Sequence, residues 1–235
     1  MGSLKVGRTM VQEDPNIEAK VLDMQAEHWE RVFSNNSDML GTAPSESARY
    51  AADLFEKEGG TEILELGGGQ GRDTVFFAQR GFRIQVLDYT ESGVRAINQK
   101  AQDLGLSNSV SSMRHDVREP LPLDDESFDN CFSHMLFCMA LTTSRLEFLA
   151  EEVRRVLKPG GLCVYTVRNT KDAHYKAGVH RGEDMYESGG FIVHFFSKRM
   201  VRRLSKGYDL VDVMEFEEGE LPRRLFRVTL RKRGD

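Results

Sequence analysis

Gly67-Gly68-Gly69-Gln70-Gly71 follows directly on the apolar run Ile63-Leu64-Glu65-Leu66, and this junction constrains the fold more than any other stretch of the chain. A short aliphatic-rich run entering a glycine cluster reads as a buried strand breaking into a sharp turn. Gly71 to Ala78 then reads as the start of a helix. Glycines have no Cβ and tolerate positive φ, so a strand, glycine loop and helix in that order let a ligand approach bare backbone. A dinucleotide fingerprint requires glycine at its first, third and sixth places. Counted from Gly67 the sixth place is Arg72, and no other frame restores that pattern. The spacing is instead acid-x-Gly-x-Gly-x-Gly, on Glu65, Gly67, Gly69 and Gly71.

Strand and helix patterns then alternate. Phe82 to Asp88 is a second strand ending on an acid, Ser109 to His115 leads to Asp116-Val117, and Phe128 to His134 is a fourth strand. Val153 to Leu157 ends a helix, Lys158-Pro159-Gly160-Gly161 turns, and Leu162 to Tyr165 is a fifth strand. Helical periodicity marks Ile17 to Phe33 (Ile17, Val21, Met24, His28, Val32), Ser45 to Lys57 with Pro44 in its first turn, Glu91 to Leu104 capped by Thr90, and Thr143 to Leu157. Such alternation implies a parallel sheet wound by right-handed crossovers. The tail departs from it. Arg168 to Gly190 is polar without a period, Phe191 to Phe196 is apolar, and Ser197 to Lys206 is helical. Tyr208 to Phe216 and Leu225 to Leu230 read as strands joined by a turn at Glu217 to Pro222, and so short a link makes them antiparallel.

Over roughly residues 60 to 170 these four ordered motifs resemble class I S-adenosylmethionine (SAM) dependent methyltransferases. The resemblance implies a Rossmann-like, seven-stranded, mostly parallel sheet with helices on both faces and an antiparallel last strand. It implies SAM as cofactor, S-adenosylhomocysteine as product, and no metal. Carried over residue by residue, it implies a cofactor site of Glu65, Gly67, Gly68, Gly69, Gly71, Arg72, Asp88, Tyr89, Asp116, Val117 and Ser133. Asp88 faces the ribose hydroxyls, which a carboxylate accepts in pairs, and Asp116-Val117 faces the adenine edge. Arg72 is either the guanidinium partner of the methionine carboxylate or an exposed first-turn side chain. Tyr89 packs either on adenine or on the sheet edge. One domain, 1–235, is expected: 1–44 an N-terminal helix and cofactor-covering loop, 45–168 the SAM-binding core, 169–206 a substrate-covering loop and helix, and 207–235 a β-hairpin.

Length and charge narrow the partners. The 235 residues suit one α/β domain with a sheet covered on both faces. A net charge of −5 and a pI near 5.8 argue against a general nucleic-acid binder. The basic cluster Arg223, Arg224, Arg227, Arg231, Lys232 and Arg233 reads as an exposed edge strand protected by charge. No apolar stretch approaches the roughly 20 residues that span a bilayer. Met1 to Gln12 lacks the apolar core and cleavage site of a leader, and Val6 stands where a myristoylation signal has Ser or Thr. A cytoplasmic location is expected. Cys131, Cys138 and Cys163 have no metal-like spacing, and the first and last fall in apolar strands as small core residues.

Methyl transfer from a sulfonium is an in-line displacement with a neutral leaving group. Holding donor and acceptor collinear supplies roughly 7–11 kcal/mol, and a base adds ~10²–10⁴-fold where the acceptor is protonated. His134, His180 and His194 are the candidate bases by residue type, and His134 has the best position, at the mouth of strand four. Ser133-His134-Met135-Leu136 lacks the prolines that enzymes methylating exocyclic amines carry there, and no Pro-Cys pair serves attack on a pyrimidine. DNA and RNA are therefore disfavoured as acceptors. Asp172 to Gly182 is a polar, glycine-punctuated loop suited to covering a site. Val193 to Ser197 and Leu221 to Val228 are similar to the tail of methyltransferases related to the tellurite-resistance group. That analogy allows a small-molecule acceptor with an S, Se/Te, N or O atom. The alternatives are a protein or RNA methyltransferase, if the basic tail forms one patch, and a non-catalytic SAM-binding regulatory subunit.

Overall fold

The computed structural model describes residues 15–36, 39, 41–219 and 223–234, with side chains from Lys20 onward. Met1 to Gln12, Leu40, the Leu221-Pro222 part of the tail motif and the Ile17 side chain lie outside that description. In chain order the helices are α1 (Pro15–Asn35), α2 (Glu46–Lys57), α3 (Arg72–Gln79), α4 (Glu91–Asp103), α5 (Thr143–Val156) and α6 (Lys198–Leu204). The strands are β1 (Glu62–Leu66), β2 (Arg83–Asp88), β3 (Val110–Arg114), β4 (Phe128–His134), β5 (Leu157–Arg168), β6 (Val179–His180), β7 (Met185–Ser188), β8 (Phe191–His194), β9 (Tyr208–Glu218) and β10 (Arg223–Lys232).

Seven strands form the central sheet in the order β3-β2-β1-β4-β5-β10-β9. The first five are parallel, and β10 runs antiparallel to both β5 and β9. From β1 the chain winds outward through β2 to β3, then returns to the other side of β1 for β4 and β5. Right-handed crossovers in opposite directions place their helices on opposite faces. Accordingly α2, α3 and α4 pack on one face, where Phe55, Phe77, Ile97 and Ile63 are fully buried; α5 and α6 pack on the other with Leu64, Leu66, Leu149 and Val201. The side-chain alternation of β1 divides Ile63 from Leu64 and Leu66, as a period of two requires. The reversal of strand order between β1 and β4 opens the crevice in which such sheets hold ligands.

Several local expectations change in the folded chain. The buried stripe of α1 is Leu22, Gln25 and Phe33, while Met24 is 60% exposed. Two neighbouring stripes fit the 3.6 period, and the ring packing of Trp29 on Phe33 (5.3 Å) and Phe191 (4.8 Å) selects this one. Ser45, not Pro44, begins the α2 cap, its hydroxyl accepting from the Ala48 amide at 3.0 Å. Thr90 gives its hydroxyl to Asp88 (2.6 Å), and the first amides of α4, on Glu91 and Ser92, are taken by the Glu30 carboxylate of α1 at 2.8 and 3.1 Å. The polar passage from Arg168 to Gly190 contains β6 and β7, which with β8 make a separate three-stranded antiparallel sheet. The arginine-rich strand is not an edge. It lies between β5 and the acidic β9, so Arg224 meets Glu217 (3.2 Å) and Arg233 meets Asp209 (2.7 Å), while Arg231 reaches Glu58 (3.0 Å).

Candidate active site

The carboxyl ends of β1 to β4 open into one cavity of about 350 Å³, covered by α1 and by the small β6–β8 sheet. Its floor is the glycine loop. Gly67, Gly69 and Gly71 have φ of 71°, 56° and 82°, the left-handed region that penalises any side chain. A Cβ on Gly67 would stand 2.7 Å from the Leu136 side chain, and one on Gly68 2.5 Å from Val86. The loop therefore lies flush on its neighbours, and Gly67 and Gly69 present bare backbone to the cavity. Gly68 and Gly71 shape the turn from behind. Gln70 turns the other way and holds the end of α1, accepting from the Met39 amide (3.1 Å) and donating to the Asn36 carbonyl.

Asp88, at the end of β2, lines the cavity at 4% exposure. Its Oδ1 accepts from the Thr90 amide and hydroxyl (2.9 and 2.6 Å), and its Oδ2 from the Gly69 amide (2.8 Å). Burial pushes its carboxyl above the usual range even though these donors pull the other way. Three of roughly four acceptor positions on a carboxylate are thus taken by protein. Asp116 also lines the cavity and is forked by Arg118, whose Nε lies 2.9 Å from each oxygen. Burial opposes ionisation there, but the Arg118 hydrogen bonds outweigh it and hold Asp116 below the usual carboxylate range. Arg118 also pairs with Asp23, tying α1 down over the adjoining Val117. Tyr89 borders the cavity, its hydroxyl donating to the Gln25 carbonyl at 3.4 Å, and burial raises its phenol. Gln25 also receives the Ile192 amide (3.1 Å), so α1 is stitched to β8 as well.

Besides Gly68 and Gly71, two more of the expected cofactor contacts lie behind the cavity wall. Glu65 is 3% exposed and receives the Thr74 hydroxyl at 2.5 Å, and burial raises its carboxyl to about 8. Ser133 is fully buried and donates to the Leu66 carbonyl (3.1 Å), joining β4 to β1. Arg72 lines the cavity while forked onto Asp73 at 3.2 and 3.3 Å. Asp73 in turn accepts the Ser45 amide and hydroxyl (2.7 and 2.8 Å), so the loop, α2 and α3 share one network.

The three histidines part company. His134 faces the cavity, its Nδ1 3.1 Å from the Thr166 hydroxyl and its Nε2 3.2 Å from Glu218. Thr166 is fixed in turn by the Met135 amide (3.0 Å). His180 is exposed, donates from Nε2 to the Glu183 carbonyl (2.9 Å), and does not line the cavity. His194 is fully buried, donates from Nδ1 to the Leu141 carbonyl (2.8 Å), and does not line it either. Glu218, Arg118, Gln25 and Thr166 escaped sequence reasoning. The Asp-x-Arg spacing of Asp116 and Arg118 was a usable signal; the others depend on contacts between distant segments.

The loop geometry fits a SAM-like nucleoside. The floor is bare backbone that a Cβ would obstruct, and two carboxylates, Asp88 and Asp116, stand at successive strand ends. Sheet order, glycine loop and strand-end acids define the class I SAM-dependent methyltransferase architecture, whose cofactor is SAM. Residues 63–161 match the family described as methyltransferase domain. It is 28% identical over 180 residues to 24-methylenesterol C-methyltransferase 2 of Oryza sativa subsp. japonica, covering 69% of this chain and 48% of that protein. It is 34% identical over 164 residues to the ubiquinone/menaquinone biosynthesis C-methyltransferase UbiE of Methylococcus capsulatus, covering 68% and 62%. Among solved structures, a Burkholderia thailandensis 1,6-didemethyltoxoflavin-N1-methyltransferase superposes with a TM-score of 0.66 at 18% identity, covering 97% of this chain and 94% of that one. That structure holds 1,6-didemethyltoxoflavin and S-adenosylhomocysteine. The chain spans about half of the rice relative, and 27% of phosphoethanolamine N-methyltransferase 1 of Triticum aestivum.

Proposed function

We propose that this chain transfers the methyl group of SAM to a small-molecule acceptor. The observation that carries the reading is one covered cavity lined both by Gly67 and Asp88 and by His134 and Glu218. A donor and an acceptor enclosed together under α1 and the β6–β8 sheet are held in line and away from water, the chief requirement of this displacement. When bound, SAM supplies an electrophilic methyl on a sulfonium with a neutral leaving group.

In this reading the bare backbone of Gly67 and Gly69 lies against the donor, with Gly68 and Gly71 setting the turn. The free acceptor position on Asp88 takes one ribose hydroxyl, Asp116 and Val117 border the adenine, Tyr89 packs beside it, and Arg72 leans toward the methionine carboxylate. Glu65 and Ser133 position the loop and β4 from behind. The curated relatives are named for small-molecule acceptors, and the Burkholderia neighbour for a ring nitrogen. The ion pairing of the basic strand with β9 supports a small acceptor over an RNA or protein.

Calorimetric titration with SAM and with NAD tests the cofactor: tighter NAD binding ends this reading. Incubation with labelled SAM and a panel of thiols, chalcogen oxyanions, phenols, N-heterocycles, tRNA and peptides tests the acceptor. Transfer to a small molecule is expected. SAM binding without transfer to any of them favours a regulatory role.

A further inference from the structure

We infer that Glu218 is the acceptor-side carboxylate of the cavity, and that the acceptor presents to it an N–H or O–H at the atom that becomes methylated. The inference rests on the methyl-transfer reading and narrows its substrate class.

Among the described residues lining the cavity, the carboxylates are Asp88, Asp116 and Glu218. The first carries three protein donors and the second is forked by Arg118. Glu218 is engaged on Oε2 alone, by His134 Nε2 at 3.2 Å, and among the described residues no hydrogen bond reaches its Oε1. A carboxylate only accepts, so His134 donates from Nε2, and its Nδ1 lies within hydrogen-bond distance of the Thr166 hydroxyl. Both ring nitrogens of His134 are therefore committed to protein. The ring is a positioning residue, and the group it aims into the cavity is Glu218.

Burial opposes the charge on Glu218, but His134, Arg72 and Arg223 hold its carboxyl below the usual range and keep it ionised near neutral pH. Arg72 is already forked onto Asp73, and Arg223 lies exposed at the rim. A neutral N–H or O–H acceptor that gains a methyl must lose a proton. The new bond forms between the acceptor atom and the methyl carbon, and the carbon–sulfur bond breaks with its electron pair left on sulfur. The acceptor's proton passes to Glu218 Oε1 and then to solvent. A carboxylate or chalcogen oxyanion has no such proton and meets a like charge, so those acceptors drop out of the range the sequence allowed.

Glu218→Gln keeps an oxygen for His134 Nε2 and removes the charge. With the best acceptor from the labelled-SAM panel, kcat is expected to fall ~10²–10⁴-fold, with SAM affinity by calorimetry unchanged and partial recovery in Glu218→Asp. The wild-type pH profile loses activity on the acid side as Glu218 protonates, and Glu218→Gln lacks that limb. Wild-type turnover in Glu218→Gln, or a carboxylate or oxyanion as the best acceptor, overturns the inference. A second arm needs no turnover. In protein saturated with S-adenosylhomocysteine, benzimidazole is expected to bind ~10-fold or more tightly than benzoate by ligand-observed NMR, with the preference lost in Glu218→Gln. Tighter benzoate, or a preference unchanged by the substitution, overturns it. Absence of SAM binding would instead sink the methyl-transfer reading.

Discussion

Replacing Glu65 by Gln is expected to stabilise the protein, and increasingly so as pH rises. Glu65 stands behind the glycine loop at 3% exposure. Burial raises its carboxyl to about 8, the Thr74 hydroxyl at 2.5 Å offsets part of this, and the charges of Asp73 and Asp88 add to it. Its ordinary value is 4.5. A group whose folded value is raised contributes its stability in full below the unfolded value, and that contribution is lost as pH rises through the folded one. Between pH 4.5 and about 8 the unfolded chain ionises Glu65 while the fold keeps it protonated, at ~1.4 kcal/mol per pH unit. The full window amounts to roughly 5 kcal/mol, and relaxation of the pocket reduces it to about 2–5 kcal/mol. Gln keeps the shape and an oxygen for Thr74 but never ionises. The assay is urea unfolding of both proteins from pH 5 to 9, compared as a difference so that every other titrating group cancels. The gain in Glu65→Gln should climb across pH 5 to 8 and flatten above it, with Tm rising ~2–4 °C per kcal/mol. Parallel curves, or a growing loss in Glu65→Gln, would refute a protonated Glu65.

Gly68→Ala places a Cβ 2.5 Å from Val86 and so shifts the loop; SAM affinity by calorimetry should fall ~10-fold or more while the far-UV spectrum is unchanged. Phe77→Ala empties a fully buried site packed on Phe132 at 5.0 Å and should cost about 3–5 kcal/mol in urea unfolding. Arg118→Met removes the cation that holds Asp116 low. Asp116's contribution is present above its unfolded value and lost as pH falls through the folded one, so the variant should lose about 1 kcal/mol or less at pH 7, and the deficit should shrink in acid unfolding. Trp29 is the only tryptophan and lines the cavity, so its fluorescence should change saturably on titration with SAM and stay flat with NAD.

What was legible in the sequence follows from the range over which each feature is determined. The strand, glycine loop and helix at Glu62 to Gln79 are written in adjacent residues, because positive φ and missing Cβ atoms are properties of the positions themselves. Of the buried residues of α5, Leu146, Leu149, Val153 and Val156 were readable because a single stripe there has no competitor. α1 offered two stripes, and a ring on β8 decided between them. Thr90 carried a capping hydroxyl that Asp88, two residues away, claims more strongly because a buried carboxylate needs every donor in reach. The β6–β8 sheet was hidden because its strands are two to four residues long, too short to show a period. The acceptor end was the least readable. His134, His180 and His194 are equivalent as residue types, and only the folded chain separates one at the cavity from one at the surface and one in the core. Glu218 sits among Glu215 and Glu217 on β9 with nothing local to distinguish it. It meets His134 because β10 pairs with both β5 and β9 and carries the end of β9 back to the mouth of β4, so the acceptor side is specified by strand order, not by motif.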